Sequence, residues 1–288
     1  MKTTFTLTIH SIQSKYLFTA FFIFLILSSF TIHAQGDLLL YPKRIVFEDS
    51  KRSQTINLSN TGNDTVRYLV SVVQSRMKEA GGFETIVVPD SGQFFAVDFF
   101  RFYPRNVVLG PKESQSVKIQ LTNTGKLDTG EYRSHLYFRA EPDKNPLGEA
   151  EVKKDSGSIS VNLVAVFGIS IPVIIRKGES TSQVTISAVS VEIKKDAPAA
   201  LHIIFNRTGN MSVYGDITVD HISPEGKITR VAIANGMAIY TPNTKRQFNL
   251  KLDHLTGVNY HAGKLRVAYT TQPDAKSVKM AEKELQLN

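Results

Sequence analysis

The 288-residue chain has no cysteine. This excludes disulfide frameworks, thiolate zinc sites, iron–sulfur clusters and cysteine nucleophiles together. Clustered charge is also missing. Lys and Arg number 34 against 26 Asp and Glu, a net charge of +8, but the cations stand in isolated pairs: Lys43-Arg44, Lys51-Arg52, Lys153-Lys154, Lys194-Lys195 and Lys245-Arg246. A scattered surplus fits solvated strand faces, whereas binding nucleic acid needs the charge gathered on one surface. Catalytic signatures are absent: there is no Gly-x-Ser-x-Gly, P-loop, dinucleotide glycine pattern or His-Glu-x-x-His. Asp253, His254 and His261 come nearest to a metal set and do not make one. His135, His202 and His221 each stand alone in alternating segments, where an outward imidazole is expected. The sequence therefore implies no enzyme, no metal and no cofactor.

Long apolar runs are also scarce, with one exception near the start. Residues 17–30 read LFTAFFIFLILSSF, preceded by Lys2 and Lys15 and by no acidic residue. As a helix this run rises only about 21 Å, short of the roughly 30 Å hydrocarbon core of a bilayer. It reads as a secretory signal, with cleavage expected after Ala34. Removing residues 1–34 takes away two lysines and no acids, so the charge falls from +8 to +6. The mature protein is expected outside the cytoplasm and, once the signal is cleaved, not integral to the membrane; an uncleaved membrane anchor is the alternative.

What remains is 42% hydrophobic in composition over the whole chain, with 18 Gly and 11 Pro, enough to bury real cores in two domains. Its apolar residues alternate, as in Thr55-Ile56-Asn57-Leu58, Ser116-Val117-Lys118-Ile119-Gln120-Leu121 and Gln247-Phe248-Asn249-Leu250-Lys251-Leu252. A period of two predicts half-buried strands. Turn residues break the runs at Asn60-Thr61-Gly62, Asn123-Thr124-Gly125 and Pro224-Glu225-Gly226, the pattern of a β-sandwich.

An internal repeat doubles the sandwich. TINLSNTGN at 55–63 returns as LHIIFNRTGN at 201–210, PKESQSVKIQL at 111–121 as PNTKRQFNLKL at 242–252, and GEYRSHLYF at 130–138 as GKLRVAYTT at 263–271. The order is the same in both halves. The expected fold is all-β, with two tandem immunoglobulin-like sandwiches: residues 1–34 as signal, 35–177 as the first domain and 178–288 as the second, the boundary falling in the polar stretch RKGESTS at 176–182. Long loops at 76–98 and 141–157 enlarge the first domain and are places where function can sit.

One segment does not fit a single sandwich. Residues 158–175 read SISVNLVAVFGISIPVII. The face formed by Ile159, Val161, Leu163, Ala165, Phe167, Ile169, Ile171, Val173 and Ile175 would run about 56 Å, against about 17–20 Å for an ordinary strand. Part of that face must be covered by something other than one domain's core. Gly168 and Pro172 mark a bend or an edge, since proline cannot donate to an interior ladder. Either two core strands kink at Gly168, or an edge strand offers its apolar row to a partner by strand addition.

The chain resembles the periplasmic pilus and fimbrial assembly chaperones of the PapD-like family. The likeness rests on LLLYPKRIVFEDSKRSQTINLSNTG at 38–62, Tyr68-Leu69-Val70, FRFYPRNVVLGPKESQSVKIQL at 100–121, GEYRSHLYFRAEP at 130–142 and IPVIIRKG at 171–178. It implies a chaperone that holds an exported pilin-like subunit by donor-strand complementation and delivers it for assembly, in some systems to an outer-membrane usher. The residues it assigns to the donor strand are Leu163, Ala165 and Phe167, extended by Val161 and Ile159. It assigns Arg44 to the subunit's C-terminal carboxylate. The lysine expected as a second anchor falls on Pro172. An apo homodimer hiding the exposed strand also accords with the resemblance. The competing reading is a tandem immunoglobulin-like envelope or adhesion protein with no chaperone activity, and a hydrolase borne on loops comes last.

Overall fold

The computed structural model describes residues 38–48, 50–141, 166–194, 197–271 and 277–287. The expected signal segment lies outside them, as do Ile159, Val161, Leu163 and Ala165. Among the described residues no helix is long and apolar enough to cross a membrane.

The described residues form eighteen strands, which make two sandwiches within one compact unit, Asp37–Asn288. The first is built from β1 (Leu38–Tyr41), β2 (Ile45–Phe47), β3 (Ser53–Asn60), β4 (Val66–Val73), β5 (Ser75–Met77), β6 (Phe83–Thr85), β7 (Phe100–Tyr103), β8 (Asn106–Leu109), β9 (Ser114–Leu121), β10 (Gly130–Glu141) and β11 (Gly168–Lys177). Its two sheets run β1-β3-β9-β7 and β2-β11-β10-β4-β8, with β5 and β6 forming a separate hairpin. The second contains β12 (Gln183–Glu192), β13 (Ala200–Thr208), β14 (Val213–Ile222), β15 (Ile228–Ile239), β16 (Lys245–Lys251), β17 (Lys264–Thr271) and β18 (Lys279–Gln286), in sheets β12-β13-β16 and β15-β14-β17-β18.

The period of two dictates these elements. In β3, Ile56 and Leu58 are fully buried between exposed Thr55 and Asn57, and β9 repeats the pattern with Val117 and Ile119. The repeat has a topological counterpart: β3 pairs with β9 as β13 pairs with β16, and β10 lies beside β4 as β17 lies beside β14. Each half has its own core, one around Ile45, Phe47, Leu136 and Phe138, the other around Leu201, Phe205, Val219 and Tyr269. The two Asn-Thr-Gly-type turns are pinned differently. Asn60 donates through Nδ2 to the carbonyls of Asp64, Leu109 and Gly110, whereas buried Arg207 donates to those of Asn243, Gly209 and Met211.

A third, smaller cluster lies where the sandwiches meet: Met77 and Ile174 from the first half against Ala238 and Tyr240 from the second. The β5–β6 hairpin reaches across here. Asn243 donates to the Met77 carbonyl at 2.7 Å, and the Gln247 amide donates to the Glu79 carbonyl at 2.8 Å. The first part of the loop expected at 76–98 is therefore a structured bridge.

Candidate functional site

β10 has two buried faces. Tyr132, Leu136 and Phe138 enter the first core, while Glu131, Arg133 and His135 point the other way and are equally buried. Alternation puts those three polar residues in one row; the second sandwich covers Glu131 and Arg133, and Ser75 and Phe83 of the β5–β6 hairpin pack on His135. Glu131 accepts from Arg176 Nε at 3.0 Å, from the Ser212 amide at 3.0 Å, from the Ser212 hydroxyl, and from Thr241 Oγ1 at 3.4 Å. Arg176 continues to Glu48 at 2.7 Å and to the Ser212 carbonyl at 2.7 Å.

Arg44 stands immediately before β2, whose Ile45 is fully buried and holds the chain against the first core. Its guanidinium lies over the Tyr214 ring of β14 at 4.3 Å, and Arg133 lies over Tyr240 at 4.3 Å, a stacking that suits the planar, weakly hydrated guanidinium. Nε and Nη2 of Arg44 and Nε and Nη1 of Arg133 are buried without a hydrogen-bond partner. Burial holds both guanidinium pKa values below the usual arginine range, and like charge adds to the effect, from Arg176 on Arg44 and from Arg44 on Arg133. Glu131 is the acidic group that acts on both, and its oxygens are already committed across the interface. The junction thus carries more buried positive charge than it neutralises.

Beside Arg44 opens a cavity of about 620 Å³. Lys43, Arg44, His135, Pro172, Tyr137 and Phe83 line it from the first sandwich, and Tyr214, Asn235, Gly236 and Tyr240 from the second, with no acidic side chain among its described lining. Aromatic walls beside cationic donors without partners, with no acidic side chain in the described lining, are chemically suited to a carboxylate borne on an apolar group.

The edge of β11 adjoins this cavity. β10 pairs with β11 over its whole length, from Lys177 to Gly168. On the other side, β2 pairs only with Val173, Ile174 and Ile175. The outer edge of residues 168–172 has no neighbouring strand among the described residues, and Pro172 sits where the pairing stops. The apolar face divides at the same place: Ile171, Val173 and Ile175 are at most 2% exposed, whereas Ile169 and Phe167 are 38% and 44% exposed. Glycine at 168 has a local cause, since a Cβ there would overlap the Tyr137 ring.

Of the sequence-derived site residues, Arg44 lies in the cavity with Pro172, and Phe167 lies beyond it on the exposed part of the same strand system. His135 and His221 correct the expectation of outward imidazoles. Both are buried, because β10 and β14 are interior strands; His221 Nε2 bonds to the carbonyls of Asn259 and Ala262. His202 does stand half-exposed. Among the described residues no group of His, Asp and Glu can hold a metal. Arg133 and His135 went unrecognised in the sequence. The pattern Glu-x-Arg-x-His on a strand whose other face is apolar was the available sign, and it reads equally well as a solvated face.

No family model matches the chain, and no curated protein matches it. Solved structures do. The YadV chaperone aligns at 14% identity over 88% of this chain and 100% of its own, with a TM-score of 0.42. The CupB2 chaperone of Pseudomonas aeruginosa aligns at 14% over 87% and 100%, with a TM-score of 0.44. The CsuC–CsuE chaperone and tip adhesion subunit pre-assembly complex of Acinetobacter baumannii aligns at 11% over 85% and 99%, with a TM-score of 0.42.

Proposed function

We propose that this protein is an assembly chaperone, not an enzyme, which captures an exported pilin-like subunit by lending it a strand. The observation that carries this reading is the combination at β11: a strand edge with no neighbouring strand among the described residues over 168–172, an apolar face that leaves the core at Ile169, and a cationic cavity at the other end of that edge. An incomplete sandwich laid along β11 gains main-chain hydrogen bonds from the edge and pockets for its side chains from the exposed row. Its terminal carboxylate then reaches Arg44, whose two unpartnered donors form half of a bidentate pair. Phe167 begins the donor row, and Ala165, Leu163, Val161 and Ile159, outside the described residues, continue it.

No nucleotide is required. Burial of each large side chain of the row supplies about 1.5–3 kcal/mol. The reading takes residues 1–34 as a cleaved signal, 35–177 and 178–288 as the two domains, and the periplasm as the compartment; an usher as recipient and a resting homodimer covering the strand belong to the same proposal. The test is to purify the protein from its native envelope and identify what accompanies it by mass spectrometry. A stoichiometric exported subunit with an incomplete sandwich is expected. A protein recovered alone, with the β11 edge protected from hydrogen exchange in a monomer, would replace this reading with that of a tandem immunoglobulin-like envelope module.

A further inference from the structure

His135 is 3% exposed, lines the cavity with Arg44, and faces Pro172 across the β10–β11 ladder. Its Nδ1 lies 3.2 Å from Ser75 Oγ, and its Nε2 is buried with no partner. Burial, reinforced by the Arg133 charge, pushes its pKa down to about 3, so the ring is neutral at ordinary pH. A neutral imidazole has one donor and one acceptor. The tautomer with the proton on Nε2, in which the Ser75 hydroxyl donates to Nδ1, is the one that leaves a donor for a ligand. A buried N–H without an acceptor is costly unless a ligand supplies one, and the cavity it borders has no acidic lining of its own. Phe83, half-exposed at the same cavity, makes a T-shaped contact with the imidazole, ring centroids 5.4 Å apart.

We propose that His135 is a second donor to the carboxylate bound by Arg44, giving the cavity a guanidinium–imidazole pair in place of two cations. The assignment rests on the chaperone reading and goes beyond it. Pro172 has no donor to offer, and the hydrogen bond comes instead from the residue paired with it on the neighbouring strand. A neutral donor beside the cation adds directionality without adding to the positive charge already buried at Arg44 and Arg133.

The test uses the full mature chain with ¹⁵N-labelled histidine rings and N-acetylphenylalanine as the carboxylate probe, its amide and inorganic phosphate as controls. The His135 Nε2–H resonance should move with N-acetylphenylalanine and stay in place with both controls. His135→Leu should weaken binding roughly tenfold, the worth of one hydrogen bond to a charged group, and His135→Gln, which keeps an N–H donor, should restore most of it. An Nε2 signal unmoved by saturating probe would overturn the assignment, as would an equal response to phosphate, no binding by the wild type, or full affinity in a folded His135→Leu. The wild-type spectrum decides even if the variant fails to fold. Arg44→Ala losing the probe while His135→Leu keeps it would remove His135 and leave the chaperone reading intact; that reading stands or falls on what co-purifies.

Discussion

Glu131 and Ser212 join the two sandwiches: a buried carboxylate on β10 accepts both the amide and the hydroxyl of a serine just before β14. Arg176 and Thr241 complete its shell. Removing one partner of a buried charged set leaves the others uncompensated, at a cost of about 3–5 kcal/mol. Glu131→Ala should therefore lower stability by about 3 kcal/mol and separate the melting of the two cores. Calorimetry should show one transition in the wild type and two in the variant. A single transition at the wild-type temperature would mean that the interface does not depend on this carboxylate.

Arg44 should behave in the opposite way. It has no acidic partner of its own in the cavity, so Arg44→Ala loses a stack on Tyr214 and relieves a buried charge. Stability should change by less than about 1 kcal/mol, while subunit capture fails. Arg44→Lys should recover capture only in part, because an ammonium lacks the planar fork. Pull-down of the subunit alongside thermal melts checks both halves, and equal capture by wild type and Arg44→Ala would end the anchor assignment.

The strands and the repeat were legible in the sequence, because a period of two is written directly into residues such as Ile56, Leu58, Val117 and Ile119; that Arg44 and Pro172 share a site was implied only by the family resemblance. The polar row of β10 was not legible. Glu131, Arg133 and His135 alternate as solvent-facing residues do, and it is the docking of Ser212, Tyr240 and Thr241 from the other sandwich, with Ser75 and Phe83 of the hairpin against His135, that makes that face an interior. No local pattern records such a docking. The hairpin at Phe83 was hidden for the same reason: its partners, Asn243 and Gln247, lie about 160 residues downstream.

His135 gives the protein an acid-side sensitivity above that of its carboxylates. Its native pKa of about 3 lies below the value of about 6.5 for a free histidine. Between those values the unfolded chain binds a proton that the native state excludes, so stability is complete above pH 6.5 and declines as pH falls toward 3. From pH 7 to pH 5 the loss should be about 2 kcal/mol. Urea unfolding at pH 7, 6 and 5 measures it, and in His135→Leu the slope over that interval should flatten. An unchanged slope would assign the acid sensitivity to other groups.

The division of the β11 face at Ile169 gives the sharpest contrast. Phe167 and Ile169 are exposed beyond the point where Val173 and Ile175 enter the core. Phe167→Asp should cost less than about 0.5 kcal/mol in the free protein, as surface changes do, and should abolish capture by placing a carboxylate in the shared apolar row. Val173→Asp buries an unpaired charge and should cost several kcal/mol or prevent folding. Leu163→Asp, if that residue continues the donor row, should follow Phe167 and not Val173. Melting temperatures of the three variants, with sizing by chromatography to detect a dimer that covers the strand, separate the cases. A monomeric Phe167→Asp or Leu163→Asp that melts as early as Val173→Asp would place the row inside a core and remove the donor-strand mechanism.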